Sequence, residues 1–171
     1  MDKNIWDEKT GHGEILKKIW KHLDLGVLER EHPFHTPVFG TVGANGEPQL
    51  RTVVLRRFWR KNPRALAFHT HVGAPKIAEI KNNPNVSFLF YHPQEKFQIR
   101  LRGTASVHTD DDLADEQWLA TGFFSRRCYI GDAPSHSSAG SHEPPDVRHS
   151  VPIACTRSGG HAALVPSQTS C

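Results

Sequence analysis

The sequence predicts one mainly β domain, a small antiparallel barrel with flanking helices. Short apolar runs of strand length recur between Pro37 and His108 and are separated by turn residues, as in strands joined by hairpins. Helical spacing of apolar residues is confined to short segments around these runs. The 171 residues suffice for a single domain with a core. Short strands linked by hairpins and flanked by helices favour an antiparallel barrel.

The first element is an amphipathic helix from Glu14 to Leu28. Its apolar residues recur at helical spacing and lysines lie opposite them, so we expect it to cap the sheet. A membrane-surface role is the alternative, but a single short basic face is weak support for it. A loop at Glu29–Pro37 leads into a strand at Pro37–Val42.

The next two strands follow from turn chemistry. Asn45-Gly46 lies between apolar runs and predicts a tight hairpin turn, because both residue types tolerate positive φ. The return strand is expected at Pro48–Trp59, with Val53 and Leu55 on one face and Thr52 and Val54 on the other. The Asn62-Pro63 pair turns the chain again, into a strand at Ala65–Thr70.

The second half begins with a short helix at Pro75–Asn82, opened by proline and ended by Asn82-Asn83-Pro84, with Ile77 and Ile80 facing inward. The run Val86–Tyr91 is nearly all apolar or aromatic, which predicts a central strand buried on both faces. The segment Phe97–His108 alternates and predicts a strand. A helix at Asp110–Ala120 follows, opened by acidic residues that suit the helix dipole.

The C-terminal part has a different character. Residues 133–149 are rich in Pro, Ser, Gly and His and predict a loop. The last segment, Ser150–Cys171, contains one short apolar run, Val151–Ala154, and little periodicity after it. We therefore expect no barrel strand in this segment.

Composition limits the function classes. The net charge of +3 is modest, so a small anionic ligand is favoured over nucleic acid. No apolar run approaches the length of a membrane span, and the polar N-terminus lacks the apolar core of a signal peptide, so we expect a cytoplasmic protein. The 3 cysteines contain no Cys-x-x-Cys pair and the 12 histidines repeat no ligand spacing, so no metal site is predicted.

A phosphate site is predicted in the stretch from Arg51 to Lys76. Two strands and the start of a helix bring cations, a hydroxyl and free backbone N–H groups to this region. Arg51 and Arg56 are five residues apart, so strict alternation sends them to opposite faces of a strand. A phosphate shared by both would need a bulge or a strand end between them.

Five blocks then carry a resemblance that covers about residues 37–139. They are FGTVGANGEPQLRTVVLRRF, LAFHTHVGAPK, IAEIKNNPNVSFLFY, FQIRLRGTA and, more weakly, SRRCYIGDAPSHSSAG. In order and spacing the chain resembles the pyridoxamine 5′-phosphate oxidase-like flavoproteins. The resemblance implies an FMN-binding split β-barrel domain at 1–139, with a helical cap at 14–28, a homodimer with FMN at the subunit interface, and a divergent or truncated tail at 140–171.

The resemblance also implies cofactor-binding residues. The segment RTVVLR matches the part of the family that holds the FMN phosphate and ribityl chain; it comprises Arg51, Thr52, Val53, Val54, Leu55 and Arg56. His69 and Thr70 match a pair that contacts the flavin, and Lys76 matches a lysine of the turn that follows. Gln98 matches a glutamine that approaches the flavin from the partner subunit in the family. Ser137 and Ser138 weakly match a Gln-Ser pair.

Departures from the family pattern limit what the resemblance implies about activity. Ala74-Pro75 replaces a hydroxyl and a basic residue near the phosphate, and the vitamin B6 phosphate pocket is not recognisable, with Arg126 and Arg127 its only candidate substitutes. The C-terminal Trp and Arg signature is absent. The implied function is an FMN-dependent oxidoreductase acting on a small organic substrate, with vitamin B6 oxidation the minor reading and no catalytic residue assigned. The alternative is a non-catalytic split-barrel protein that carries flavin or haem, or has lost its cofactor.

Overall fold

The structure, a computed structural model, describes residues 11–61, 64–121, 150–156 and 164–166. Its helices are α1 (His12–Leu28), α2 (Pro75–Asn82) and α3 (Asp112–Ala120), with a 3-10 turn at Pro33–His35. Its strands are β1 (Val38–Val42), β2 (Pro48–Thr52), β3 (Leu55–Trp59), β4 (Ala65–His71), β5 (Asn85–His92), β6 (Phe97–Val107), β7 (Ser150–Thr156) and β8 (Leu164–Pro166).

All strand pairs in this part of the chain are antiparallel, as the sequence predicts. The strand order is β2-β1-β5-β6-β7-β4-β3, and β8 pairs with β6. The hairpin between β1 and β2 forms at the predicted turn, where Gly46 has φ 78° and its N–H donates to the Gly43 carbonyl over 2.9 Å. No helix among the described residues is long and apolar enough to cross a membrane.

Aromatic rings from both halves of the sheet form the core. The Phe39 ring on β1 lies 4.7 Å from that of Phe68 on β4 and 4.9 Å from that of Phe88 on β5, measured between centroids. Helix α1 covers this core through Ile19 and Leu23, both buried. The amphipathic pattern of α1 therefore serves the core, as the sequence predicts.

The segment expected as one strand, Pro48–Trp59, is two strands. β2 ends at Thr52, β3 begins at Leu55, and the two pair with different neighbours, β1 and β4. The pairing of β3 with β4 shifts register between Leu55 and Arg57, which leaves Arg56 on a bulge. Val53 and Leu55 remain apolar and buried through the break, so hydrophobic alternation alone does not reveal it.

The prediction that β5 is buried on both faces is wrong. Its position between β1 and β6 is central, but its burial alternates: Val86, Phe88 and Phe90 are buried, whereas Ser87 and Tyr91 are exposed. The aromatic residues Phe88 and Phe90 that make the run look continuous in the sequence lie on the buried face, and Tyr91 on the other face is exposed, as apolar atoms often are at a protein surface.

The expectation that no barrel strand follows residue 149 is also wrong. β7 pairs with β4 along its whole length, from Ala65 opposite Thr156 to His71 opposite Ser150, and with the end of β6. It thereby joins the two halves of the sheet, and Ile153 is fully buried. The run is short and contains Pro152, a residue that argues against a central strand in sequence reading. The domain boundary at 139/140 stays a prediction.

Candidate functional site

Arg51 is the centre of a polar cluster formed by β1, β2 and α2. Its Nη2 lies 2.8 Å from Glu79 Oε2 on α2, and its Nη1 donates to Thr41 Oγ1 on β1. The Thr41 hydroxyl in turn donates to Glu79 Oε2. Thr41 is buried and the side chains of Arg51 and Glu79 are only 23 % and 14 % exposed. The guanidinium is therefore held in one orientation by partners from two other elements.

Lys76 extends this cluster to β4. It lies in the first turn of α2, and its Nζ donates to Thr70 Oγ1 over 2.9 Å. Burial lowers the pKa of Lys76, the nearby Arg51 charge lowers it further, and Glu79 opposes both. Two cations here face one carboxylate, so a bound anion would offset the cost of keeping the half-buried Lys76 ammonium charged. We call Arg51, Lys76, Glu79, Thr41 and Thr70 the cationic cluster.

The start of α2 offers few backbone donors to a ligand. Ala74 has no side chain that caps the helix, and Pro75 has no N–H. The Ala74 N–H donates to the His71 carbonyl over 3.0 Å, and the Ile77 N–H donates to the Ala74 carbonyl over 2.9 Å. A phosphate bound here would therefore depend on the side chains of the cationic cluster more than on the helix N-terminus.

A second polar group lies around Arg56 and His69. Burial, with the Arg56 charge as the second cause, lowers the pKa of His69 to about 4. Within the described part of the chain, the buried Nε of Arg56 has no hydrogen-bond acceptor. The buried Nε2 of Gln117 also has none there. The Thr121 hydroxyl lies 3.4 Å from His69 Nδ1 and donates to the Gln117 carbonyl over 2.7 Å.

The predicted site residues thus fall into two groups. Thr70 is buried with the core face of β4, whereas His69 is one residue earlier and points to the opposite face, toward α3. A ligand shared by Arg51 and Arg56 requires a strand end or a bulge between them, and the structure has both. The strand end is that of β2, and the bulge is in β3. Their joint contact with one ligand stays a prediction.

The remaining predicted residues differ in what they can offer. Val53 and Leu55 are core residues, so only their backbone could meet a ligand, and the Val53 N–H already donates to the Pro37 carbonyl over 3.1 Å. Thr52 is exposed at the end of β2, and Val54 is half-buried. Gln98 lies on β6 opposite Tyr91, away from the strands that carry the cationic cluster. Ser137 and Ser138 lie outside the described residues.

Sequence reasoning missed Glu79 and Thr41. Glu79 is three residues after Lys76 on α2, a spacing that puts both on one helix face. Thr41 pairs with Gln49, the residue two before Arg51, so the predicted Asn-Gly hairpin already implied the diagonal contact. Both patterns are visible in the sequence, but a search for phosphate-binding cations does not consider a carboxylate or a hydroxyl that holds those cations in place.

The donor set fits a mononucleotide cofactor. A phosphate needs cations and hydrogen-bond donors, which Arg51 and Lys76 supply from two elements. A polar ring edge or ribityl oxygen needs isolated donors, and the buried Arg56 Nε is one within the described residues. Glu79 opposes an anion, but it is a single carboxylate beside two cations.

His69 makes the stability of the ligand-free protein depend on pH. The unfolded chain binds a proton at His69 near pH 6.5, whereas the folded chain does so only near pH 4. The free energy of unfolding should therefore fall as pH drops from 6.5 to 4. Full protonation of His69 should account for roughly 3 kcal/mol of that fall. Between pH 7 and pH 4.5, urea unfolding should show a smaller loss of stability for His69→Gln than for the wild type. An equal loss in both proteins would contradict a neutral, half-buried His69.

Comparisons with known proteins address the fold and the cofactor. The family model for the pyridoxamine 5′-phosphate oxidase FMN-binding domain matches residues 16–109, more than half of the chain. Because the matched domain is an FMN-binding domain, the predicted cofactor, FMN, is confirmed.

Curated relatives carry related names. A pyridoxine/pyridoxamine 5′-phosphate oxidase of Rubrobacter xylanophilus is 36 % identical over 75 residues, 44 % of this chain and 33 % of that protein. The Arabidopsis thaliana pyridoxine/pyridoxamine 5′-phosphate oxidase 2 is 30 % identical over 125 residues, 67 % of this chain and 63 % of its own length. The chain thus spans about one third to two thirds of these two relatives.

Solved structures confirm the predicted split-barrel fold. A pyridoxamine 5′-phosphate oxidase-related FMN-binding protein of Nostoc punctiforme superposes with a TM-score of 0.68 at 19 % identity, covering 82 % of this chain and 80 % of that one. PhzG of Burkholderia lata, solved with tetrahydrophenazine-1-carboxylic acid, gives a TM-score of 0.64 at 16 % identity over 92 % of this chain and 82 % of its own. At these identities the likeness concerns the fold alone.

Proposed function

Because the chain belongs to the pyridoxamine 5′-phosphate oxidase-like family of FMN-binding proteins, we propose that it is an FMN-dependent oxidoreductase acting on a small organic substrate. The observation that carries the proposal is the cationic cluster at the junction of β2, β4 and α2, where Arg51 pairs with Glu79 and Lys76 donates to Thr70. It lies within the residues that match the FMN-binding domain.

In this proposal the protein binds and orients the cofactor. Arg51 and Lys76 bind the FMN phosphate, and the Thr70 hydroxyl positions the Lys76 ammonium. Arg56 donates its buried Nε–H to a cofactor oxygen or nitrogen, and the backbone around Thr52 and Val54 follows the ribityl chain. When bound, FMN supplies the hydride or electron chemistry, so the site needs no nucleophile–base pair of its own.

The relatives suggest which substrate to test. The two curated relatives described above are oxidases of pyridoxine or pyridoxamine 5′-phosphate. This chain covers only part of their length, and its sequence lacks a recognisable pocket for the vitamin phosphate. We therefore propose a small organic substrate and treat pyridoxamine 5′-phosphate as the first compound to test.

We further propose that a homodimer completes the site. Gln98 is predicted to approach the flavin, yet within one chain it lies far from Arg51. Gln98 is on β6, and two strands, β1 and β5, lie between β6 and the β2 strand that carries Arg51. The same outer face of the sheet carries Tyr91, 48 % exposed, next to Gln98, and Leu50, 73 % exposed, on β2. Light scattering should give twice the chain mass with FMN bound, and a monomer that binds FMN fully would contradict this arrangement.

Reduction of the bound flavin tests the oxidoreductase proposal. The FMN-loaded protein should lose its absorbance near ~450 nm under anaerobic conditions when pyridoxamine 5′-phosphate, NADH or NADPH is added, and should recover it in air. Free FMN with the same reductants is the control for uncatalysed reduction. Bound FMN that none of the three reduces faster than free FMN would contradict the proposal.

The second candidate is a non-catalytic carrier of flavin or haem. The observation that favours it is Ala74-Pro75, which leaves the start of α2 without a side-chain cap and without one N–H. A carrier would bind FMN or haem with a saturable signal, but its bound flavin would stay oxidised in the reduction experiment.

A further inference from the structure

Three histidines from three separate elements meet on the side of the barrel covered by α1. His22 is on α1, His32 caps the 3-10 turn, and His92 is the last residue of β5. One ring nitrogen of each lies within 4.8 Å of one from each of the others. None of them belongs to the cationic cluster or to the group around His69, so the proposed FMN chemistry does not use them.

We propose that His22, His32 and His92 bind a divalent transition metal ion, with Zn²⁺ as the best match. The His22 Nδ1 and His32 Nε2 atoms are 3.2 Å apart. Two imidazoles on a tetrahedral zinc ion, with Zn–N of about 2.0–2.1 Å, place their nitrogens about 3.3 Å apart. One edge of the coordination shell therefore already has the required length. The His92 ring is close to both of the others, with its centroid 4.9 Å from that of His22 and 5.6 Å from that of His32.

Glu95 supports His22 as a carboxylate supports a zinc-bound histidine. Its Oε1 is 3.3 Å from His22 Nε2, so His22 donates its Nε2–H there and keeps the Nδ1 lone pair facing His32. Lys18 pairs with the other carboxylate oxygen and fixes Glu95. A histidine that ligates through one nitrogen and donates the other N–H to a carboxylate is the usual arrangement around protein-bound zinc.

The surroundings suit a metal ion that prefers nitrogen ligands. His22 and His92 are 5 % and 8 % exposed, and the rings of Phe34 and Phe97 pack against them. A shell of three imidazoles favours Zn²⁺, Cu²⁺ or Ni²⁺ over Mg²⁺ and Ca²⁺, which take oxygen ligands. His32 is only half-buried, which gives the ion a route in and leaves a fourth position for water.

Metal binding has a specific cost in this chain. The Phe34 N–H donates to His32 Nδ1 over 3.1 Å, and the Glu95 N–H donates to His92 Nδ1 over 3.2 Å. Both rings therefore carry their proton on Nε2 in the metal-free protein. Ligation through Nε2 moves that proton to Nδ1 and breaks both backbone hydrogen bonds. The site is thus weaker than a fully preformed one, and its occupancy is visible at two amides.

The spacing of these residues explains why the sequence predicts no metal site. His32 comes ten positions after His22, and His92 comes sixty positions after His32, so the three form no short ligand motif. The three side chains meet because α1 and the 3-10 turn pack together over the end of β5.

Zinc titration of the full chain tests this proposal. Protein freed of metal with EDTA and dialysed is titrated with ZnSO₄ in competition with a chromophoric chelator. We expect a class of one zinc per chain that is lost, or weakened at least tenfold, in His32→Gln and in His92→Gln. The control, His108→Gln, removes a histidine near α3 and should keep that class.

NMR of the wild-type protein tests the same site without any substitution, so it remains informative if a variant fails to fold. In ¹⁵N-labelled wild-type protein, one equivalent of zinc should shift the amide signals of Phe34 and Glu95 and change the ring ¹⁵N shifts of His32 and His92 from the Nε2–H to the Nδ1–H form. Unchanged signals at saturating zinc, or zinc binding that survives in both folded variants, would overturn the proposal. FMN binding enters none of these measurements, so the outcome is independent of the proposed function.

Discussion

Replacing Arg51 and Lys76 together by alanine should weaken FMN binding by about 3 kcal/mol or more, which is over a hundredfold in Kd. Each contributes a charge-assisted contact to the phosphate in our account, and hydrogen bonds to charged groups are the strong ones in proteins. The two lie on different elements, β2 and α2, and meet beside Glu79. Quenching of FMN fluorescence measures the change.

Two further variants make this result specific to the cationic cluster. Arg30→Ala with Lys81→Ala removes two exposed cations elsewhere and should leave Kd within about twofold, since exposed charges contribute little. Glu79→Gln keeps an acceptor for Arg51 and Thr41 but removes the opposing charge, so FMN should bind as tightly or more tightly. An unchanged Kd in the Arg51/Lys76 double variant would reject the cluster as the phosphate site.

The second large effect concerns stability. A Cβ at Gly26 would lie 2.8 Å from the backbone carbon and oxygen of Phe34, so Gly26→Ala must push the 3-10 turn away from α1. Phe34 is fully buried, and His35 Nδ1 contacts the Gly26 carbonyl over 2.7 Å, so the shift disturbs both core packing and a hydrogen bond. We expect a loss of about 2–4 kcal/mol in urea unfolding, despite the better helix propensity of alanine.

Gly13→Ala is the matched control, because Gly13 lies on the same helix and a Cβ there meets nothing within 4 Å. That variant should be neutral or gain up to about 1 kcal/mol. If both glycine variants proved equally stable, the close approach of α1 and the 3-10 turn in the structure would be contradicted.

Local chemistry made much of the fold predictable. Asn45-Gly46 predicts the β1–β2 hairpin because only a few residue types accept the backbone of that turn, and Gly46 has the positive φ. Pro75 and the spacing of Ile77 and Ile80 predict α2. In contrast, β7 depends on pairing with β4, which lies some 80 residues earlier in the sequence, and a short run containing Pro152 does not show that partner.

The site was predictable where single residues match a family motif and less so where tertiary contacts decide. Arg51 and Lys76 follow from the motif, and the structure brings both beside Glu79. Arg56 follows from the same motif, but its direction is set by the bulge between Leu55 and Arg57, which depends on pairing with β4. The histidine cluster has no motif at all, because packing of α1 against the end of β5 creates it.

In the proposed function, the cationic cluster recognises the phosphate of FMN. Calorimetric titration of the protein with FMN and with riboflavin, which has the same ring and no phosphate, measures that recognition directly. We expect wild-type protein to bind FMN more than a hundredfold tighter than riboflavin and the Arg51/Lys76 double variant to show little preference. Equal affinity of the wild-type protein for both ligands would show that the cationic cluster does not bind the phosphate.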